Sequence, residues 1–127
     1  METTIVKKQQ KRRVTEELLK SGDVFVHLDP RRAGVVVPEN LRKQPHLTLQ
    51  LGYDMVIPIL DLSVADDGIT ATLSFSRVPF LCFVPWEAVF IVGGNDSQGI
   101  AWAEDIPSEL IQDLKADQKK ERHLRSV

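Results

Sequence analysis

Hydrophobic and polar positions alternate along most of the chain, with a period of two that is typical of strands. Residues 46–51 alternate strictly, and residues 69–75 do so again after the turn Asp66-Asp67-Gly68, a strong hairpin signal. Residues 80–84 and 89–92 are apolar at every position, as in strands that are covered on both sides. The predicted strands are 24–28, 35–37, 46–51, 59–64, 69–75, 80–84, 89–92 and 99–103. This pattern predicts a mainly β fold, a small antiparallel barrel or sandwich.

The start of the chain has a helical spacing instead. Residues 12–20 predict a short helix in which Val14 and Leu18 share one face, with Leu19 beside them. A helix of this length is not stable alone, so its apolar stripe must dock on the body or on a second chain. We expect residues 1–11, which are polar, to form a loose N-terminus.

The chain has 127 residues and a mass of 14.3 kDa, the size of one domain. We place that domain at 12–106 and expect the charged segment 107–127 to be a flexible tail. No apolar stretch is long enough to cross a membrane, and the first residues lack the basic and apolar regions of a secretory signal. The single cysteine, Cys82, excludes an internal disulfide. We therefore expect a cytoplasmic protein without a membrane partner.

Charge is unevenly distributed along the chain. Residues 1–43 hold ten Lys or Arg and six Asp or Glu, whereas residues 44–106 hold one base and eight acids. The acidic centre would repel phosphate backbones, so we do not expect binding to nucleic acid. The basic run at 7–13 has two interpretations, a contact with nucleic acid or anionic lipid and a solvated terminus, and its lack of aromatic residues favours the second.

Catalytic chemistry is sparse in this sequence. His27, His46 and His123 are far apart and have no metal-ligand spacing, so we expect no metal site. Ser63 lacks the glycines of a nucleophile elbow, and Cys82 has no neighbouring base to activate it and is interpreted as a core residue. No glycine-rich phosphate loop is present. We therefore predict a protein that is not an enzyme and has no cofactor.

Strands that are apolar on both faces point to binding as an alternative to catalysis. If the barrel is half open, one face of such a strand is the wall of a groove. An extended peptide would lie there, adding main-chain hydrogen bonds at a strand edge and placing alternate side chains in pockets. The competing interpretation is a strand that is simply buried between two sheets.

Several motifs, taken in order, resemble one known family. They are GVVVP at 34–38, LSFSRVP at 73–79, VPWEAV at 84–89 and GI at 99–100. Their order and spacing are similar to those of the stringent starvation protein B (SspB) family, bacterial adaptors of the ClpXP protease. The similarity covers about residues 12–104, and the terminal HLRSV at 123–127 is similar to the end of the family's tail.

The resemblance implies a fold, partners and sites. The fold is an N-terminal helix followed by a small Sm-like β-barrel or sandwich, and the helix makes a homodimer, here through Val14, Leu18 and Leu19. The body binds the ssrA degradation tag, and the tail docks on the N-terminal domain of the ClpX unfoldase, here through Leu124, Arg125 and Val127. The tag-binding residues carried over by position are Val37, Pro38, Leu51, Leu73, Phe75, Val78, Phe80 and Cys82.

Two other binding modules remain as alternatives. A PilZ-like receptor for cyclic dinucleotides has RxxxR and DxSxxG elements, and the chain offers Lys11-Arg12-Arg13, Asp61-Leu62-Ser63 and Gly68, in which the spacings depart from that pattern. An Sm-like RNA-binding module is the second, and the acidic centre argues against it.

Overall fold

The computed structural model describes residues 2–52, 59–94 and 99–111. One long helix comes first, and the seven strands assigned within these ranges follow it. The elements are α1 (Glu2–Ser21), β1 (Val24–Leu28), β2 (Leu47–Leu51), β3 (Ser63–Val64), β4 (Gly68–Phe75), β5 (Val78–Pro85), β6 (Val89–Gly94) and β7 (Gly99–Ala101). The predicted mainly β class with an N-terminal helix is confirmed.

The strands form two antiparallel sheets. The four-stranded sheet has the order β2-β1-β6-β7, and the three-stranded sheet has the order β3-β4-β5. β1 is central in the first sheet, where Val26 lies opposite Leu49 on one side and Val92 on the other. Among the described residues, no named strand pairs with strands of both sheets, so the sheets do not close into a barrel.

One core lies between these sheets and is built by strand alternation. Val24, Val26 and Leu28 of β1 point inward and are fully buried, while Phe25 and His27 point outward. The three-stranded sheet contributes residues of β4 and β5 to the same core. Trp86, on the short 3-10 turn Trp86–Ala88, is fully buried, and its indole N–H donates to the carbonyl oxygen of Ala65 at 2.9 Å. Burying each large apolar side chain of this kind contributes about 1.5–3 kcal/mol.

Helix α1 begins at Glu2, ten residues earlier than the helix that the apolar spacing predicts, so residues 2–11 do not form the expected loose terminus. The basic residues of this stretch bond to acidic residues of the body. Lys7 pairs with Glu104 at 3.0 Å, and Lys8 pairs with Glu87 at 2.7 Å. The basic start of the chain is thus folded against its acidic centre, which stabilises the added helical turns.

Lys11 anchors this arrangement from inside the protein. Its side chain is 1% exposed, and its ammonium group donates to the carbonyl oxygen of Trp86 at 2.8 Å and to Asp105 at 2.9 Å. The same group lies 5.5 Å from the ring centre of Trp102, a favourable cation–π position. Burial lowers the pKa of Lys11, and the bond with Asp105 opposes that shift.

The apolar stripe of α1 docks on the protein's own body. Leu19 is buried in the core, and Val14 and Leu18 are half-buried against it. Leu19 is therefore not free to form the helix–helix contact that the resemblance implies, because the intramolecular core covers it. The homodimer stays a prediction. Within the described part of the chain, no helix combines the length and apolar character needed to cross a membrane.

The described body continues past the predicted boundary at 106. Pro107 is buried, and residues 108–111 are helical. Arg31 holds this end, since its guanidinium donates to Asp29 at 2.9 Å and to Glu109 at 2.6 Å. The expected tail therefore starts with residues that are attached to the body, and residues 112–127 lie outside the described ranges.

Candidate functional site

The longest antiparallel pair in the structure is the hairpin of β4 and β5, eight residues each. Its turn consists of Ser76 and Arg77, both with positive φ, of 52° and 70°. Positive φ at both turn positions is the type I′ geometry, which matches the twist of the strands. The strand predicted at 80–84 begins two residues earlier, because β5 starts at Val78 and pairs with β4 without a break.

One face of this hairpin carries most of the predicted tag-binding residues. In the pairing register, Leu73 lies opposite Phe80 and Phe75 lies opposite Val78. Leu73, Phe75 and Phe80 are half-buried against the core, and Val78, next to the turn, is 63% exposed. We call these four residues the hairpin face. The structure therefore brings four of the eight predicted residues together as one partly open apolar surface.

Three predicted tag-binding residues are core residues instead. Val37, Leu51 and Cys82 are 3% exposed or less. Cys82 is on the same side of the hairpin as the hairpin face but farther from the turn, where the core covers it. Cys82 is 2% exposed and therefore out of reach of a bound peptide, and burial raises the pKa of its thiol to about 11, so the thiol is not activated as a nucleophile. Their assignment to a groove is wrong because all three side chains pack in the core: alternation of β2 and β5 turns Leu51 and Cys82 inward, and Val37 joins them from the segment beside β5.

The free edge of β5 already pairs at one position with another segment of the same chain. Phe83 exchanges two main-chain hydrogen bonds with Val36, of 2.9 and 3.0 Å. The bridge ends there, because no further main-chain bond joins the described residues of this segment to β5, and Pro38, two residues on, has no N–H to donate. Pro79, another outward residue of β5, also lacks an N–H. The expected ladder of main-chain bonds to a peptide is therefore incomplete along this edge. Leu81 still presents an outward N–H and C=O, Pro79 can only accept, and side chains must supply the rest of the contact.

Pro38, the eighth predicted residue, is half-buried beside this edge, just before the 3-10 turn Glu39–Leu41. The three predicted docking residues of the tail, Leu124, Arg125 and Val127, lie outside the described residues, so their role stays a prediction.

A polar cluster on the outer face of the four-stranded sheet was not predicted. His27 Nδ1 and His46 Nε2 are 2.8 Å apart, and Thr48 Oγ1 lies 3.1 Å from each. Nineteen positions separate the two histidines in the sequence, but antiparallel pairing of β1 with β2 places His27 opposite Thr48. The signal that the sequence offered was strand alternation, which puts the side chains of His27, His46 and Thr48 on the outer face of two strands that pair. Burial, and then the charge of His46, lower the pKa of His27.

Comparison with known proteins adds no relative to this picture. No protein-family model matches the chain, and no curated protein matches it significantly. The geometry of the described residues and the motifs of the sequence therefore carry the functional argument.

Proposed function

We propose that this protein is a non-enzymatic adaptor of the SspB kind, with an Sm-like body that binds an extended degradation-tag peptide of the ssrA type. The hairpin face is the binding surface, and the tail delivers the bound substrate to the ClpX component of the ClpXP protease. The observation that carries the proposal is the partly open apolar surface of Leu73, Phe75, Val78 and Phe80 at the turn end of the hairpin, where the same face farther from the turn is buried in the core.

The size of this surface suits a weak peptide contact. Full burial of one large apolar side chain contributes about 1.5–3 kcal/mol of binding free energy at most. Leu73, Phe75 and Phe80 are already half-buried, so a peptide gains only part of that value from them, and Val78 alone is exposed. Ordering an extended peptide offsets much of that gain. A weak contact is sufficient for an adaptor, because a second contact through the tail raises the effective concentration of the substrate at the unfoldase.

The alternative sites for phosphate-containing ligands are less well supported by the described residues. Lys11 is buried and bonded to Trp86 and Asp105, and Arg12 is paired with Glu16 and Asp66. These are two of the basic residues on which a PilZ-like or RNA-binding site would depend. Acidic residues of the same chain compete with phosphate for both of them.

Fluorescence polarisation with a labelled ssrA-type peptide tests the proposed surface. Val78→Asp places a charge on the hairpin face at a position that is already exposed, so the fold should be retained. We expect the affinity for the peptide to fall by at least ~10-fold. Ile100→Asp is the matched control, since Ile100 is 40% exposed and lies on β7 of the other sheet. Its affinity should stay within about twofold of the original.

Two results contradict the proposal: no binding of the peptide by the unaltered protein, or the same affinity in both variants. Phe80→Asp and Leu73→Gln probe deeper positions, and circular dichroism separates a lost contact from a lost fold in those two proteins.

Deleting residues 123–127 tests the delivery step separately. The shortened protein should bind the peptide with unchanged affinity but no longer accelerate degradation of a tagged substrate by ClpXP. Loss of peptide affinity as well, or unchanged acceleration, would show that the tail is not a separate docking element.

A further inference from the structure

The cluster of His27, His46 and Thr48 has the dimensions of a set of metal ligands. The three facing atoms, two ring nitrogens and one hydroxyl oxygen, form a triangle with sides of 2.8, 3.1 and 3.1 Å. Ligands ~2.05 Å from an ion and at right angles to each other are about 2.9 Å apart. A point about 1.1 Å above the plane of the triangle lies ~2.05 Å from all three atoms.

The two histidine rings already face each other along their edges. Their centres are 5.0 Å apart and their planes differ by 19°. With 2.8 Å between the facing nitrogens, this is the separation of two rings lying side by side and joined by one N–H···N hydrogen bond. Rotation about the Cβ–Cγ bonds, a torsion with a broad minimum, aims both lone pairs at the point above the triangle.

A buried aromatic residue supports the pair from below. The pairing of β1 with β6 shifts between His27 and Leu28, so that Phe90 is the extra residue of a β-bulge. Its side chain is buried but is not part of the main core. The ring centre of Phe90 lies 5.6 Å from that of His46 and 6.4 Å from that of His27, which restricts the positions of both imidazoles.

The site is also open to solvent on one side. Thr48 is exposed, and His27 and His46 are only half-buried. An ion and its exchangeable water ligands can therefore reach the imidazoles without opening the core.

We propose that His27 and His46, with Thr48, form a binding site for one divalent transition-metal ion. Imidazole ligands suit Ni²⁺, Cu²⁺ and Zn²⁺, and separations close to those of right-angled ligands favour Ni²⁺ and Cu²⁺ over the wider tetrahedral arrangement of Zn²⁺. The described residues contain no group of three or more His, Cys, Asp or Glu side chains placed around an ion. The site is accordingly a two-histidine chelate that Thr48 and water complete.

Metal binding competes with the hydrogen bond that now joins the rings. One imidazole must move its proton from the facing nitrogen to its other ring nitrogen, so that both facing nitrogens present lone pairs. Binding at neutral pH therefore shifts a tautomer without releasing a proton from the pair, and it weakens at acid pH, where protons occupy the ligands.

Isothermal titration with NiCl₂ tests the proposal on the full chain, produced without a histidine tag. We expect one Ni²⁺ per chain at pH 7.5, and affinities lower by more than ~10-fold in both His27→Gln and His46→Gln. His123→Gln is the matched control, because it removes the remaining histidine, and it should bind like the unaltered protein. Bound Ni²⁺ should raise the melting temperature of the unaltered protein and of this control only.

Electron paramagnetic resonance of bound Cu²⁺ gives a readout that needs no substitution. The unaltered protein should show nitrogen couplings from two imidazoles, so a variant that fails to fold does not remove the test. Three results would overturn the proposal. They are a Ni²⁺ affinity of the His27→Gln/His46→Gln double variant equal to that of the unaltered protein, loss of Ni²⁺ binding in His123→Gln, and Cu²⁺ couplings from fewer than two imidazoles.

Discussion

The ammonium nitrogen of Lys11, on the N-terminal helix, lies 2.8 Å from the main-chain carbonyl oxygen of Trp86, on the turn between β5 and β6. These two residues are 75 positions apart in the chain and are both fully buried. A buried lysine with a carbonyl and a carboxylate partner ties the helix to the core rather than to the surface. Helix α1 is therefore part of the folded body, although its sequence is among the most polar in the protein.

Removing this buried cation should destabilise the whole domain. Lys11→Met keeps the apolar stem and deletes the charge, leaving the Trp86 carbonyl without its partner. We expect the free energy of unfolding in urea to fall by about 2–4 kcal/mol, less than for a fully isolated pair because Lys7 also contacts Asp105. Lys8→Met, which removes the half-exposed pair with Glu87, is the control and should cost about 0–1 kcal/mol. Equal losses in the two variants would contradict an anchoring role for Lys11.

Stability should fall as the pH decreases through the range in which His27 titrates. The pKa of His27 in the folded protein is lower than its value of about 6.5 in the unfolded chain. Between these two values the unfolded chain binds more protons, so the contribution of His27 is complete above about pH 6.5 and is lost as the pH falls to the folded pKa. Urea unfolding between pH 7.5 and 5 measures this slope.

His27→Gln is the comparison for that measurement, because it removes the titrating ring and leaves a polar side chain. The described neighbours that face His27 are His46, Thr48 and Phe90. The variant should therefore lose less stability than the unaltered protein as the pH falls from 7.5 to 5. Identical slopes in the two proteins would show that His27 does not contribute.

The hairpin turn is a site where the sequence can be improved. Ser76 and Arg77 both adopt positive φ, which is strained for residues with a side chain. The double substitution Ser76→Asn and Arg77→Gly supplies the residues preferred in a type I′ turn, and we expect a gain of about 1 kcal/mol in thermal or urea unfolding. The affinity for a tag peptide should not change, since neither side chain belongs to the hairpin face. A loss of stability would contradict the turn geometry.

Much of the sheet structure was predictable from local patterns. The strict alternation at 46–51 and 69–75 predicted β2 and β4, and Asp67-Gly68 marked the hairpin between β3 and β4. Helix α1 was predicted too short because the apolar stripe ends near Val14. The remaining turns are held by bonds from Lys7, Lys8 and Lys11 to residues distant in the chain, which a local pattern does not contain.

The candidate sites depend on features that local sequence patterns do not contain. The alternation at 69–75 correctly placed Leu73 and Phe75 on the same face of β4, but it does not say where along that face of the hairpin the core ends. That boundary separates a candidate peptide contact such as Phe75 from a core residue such as Cys82. The pair of His27 and His46 depends on which strands are neighbours, a property of the topology rather than of either segment.

The prolines at and beside the outer edge of β5 affect how readily this edge pairs with another copy of the chain. Val36 and Leu81 are exposed, so this edge is apolar. Exposed apolar strand edges favour the formation of intermolecular β-sheets. Pro79 has no N–H to donate, so a second copy of the chain finds one donor fewer along this edge and pairs less favourably there. This edge can therefore present apolar side chains to another polypeptide while favouring strand pairing less than an edge without proline.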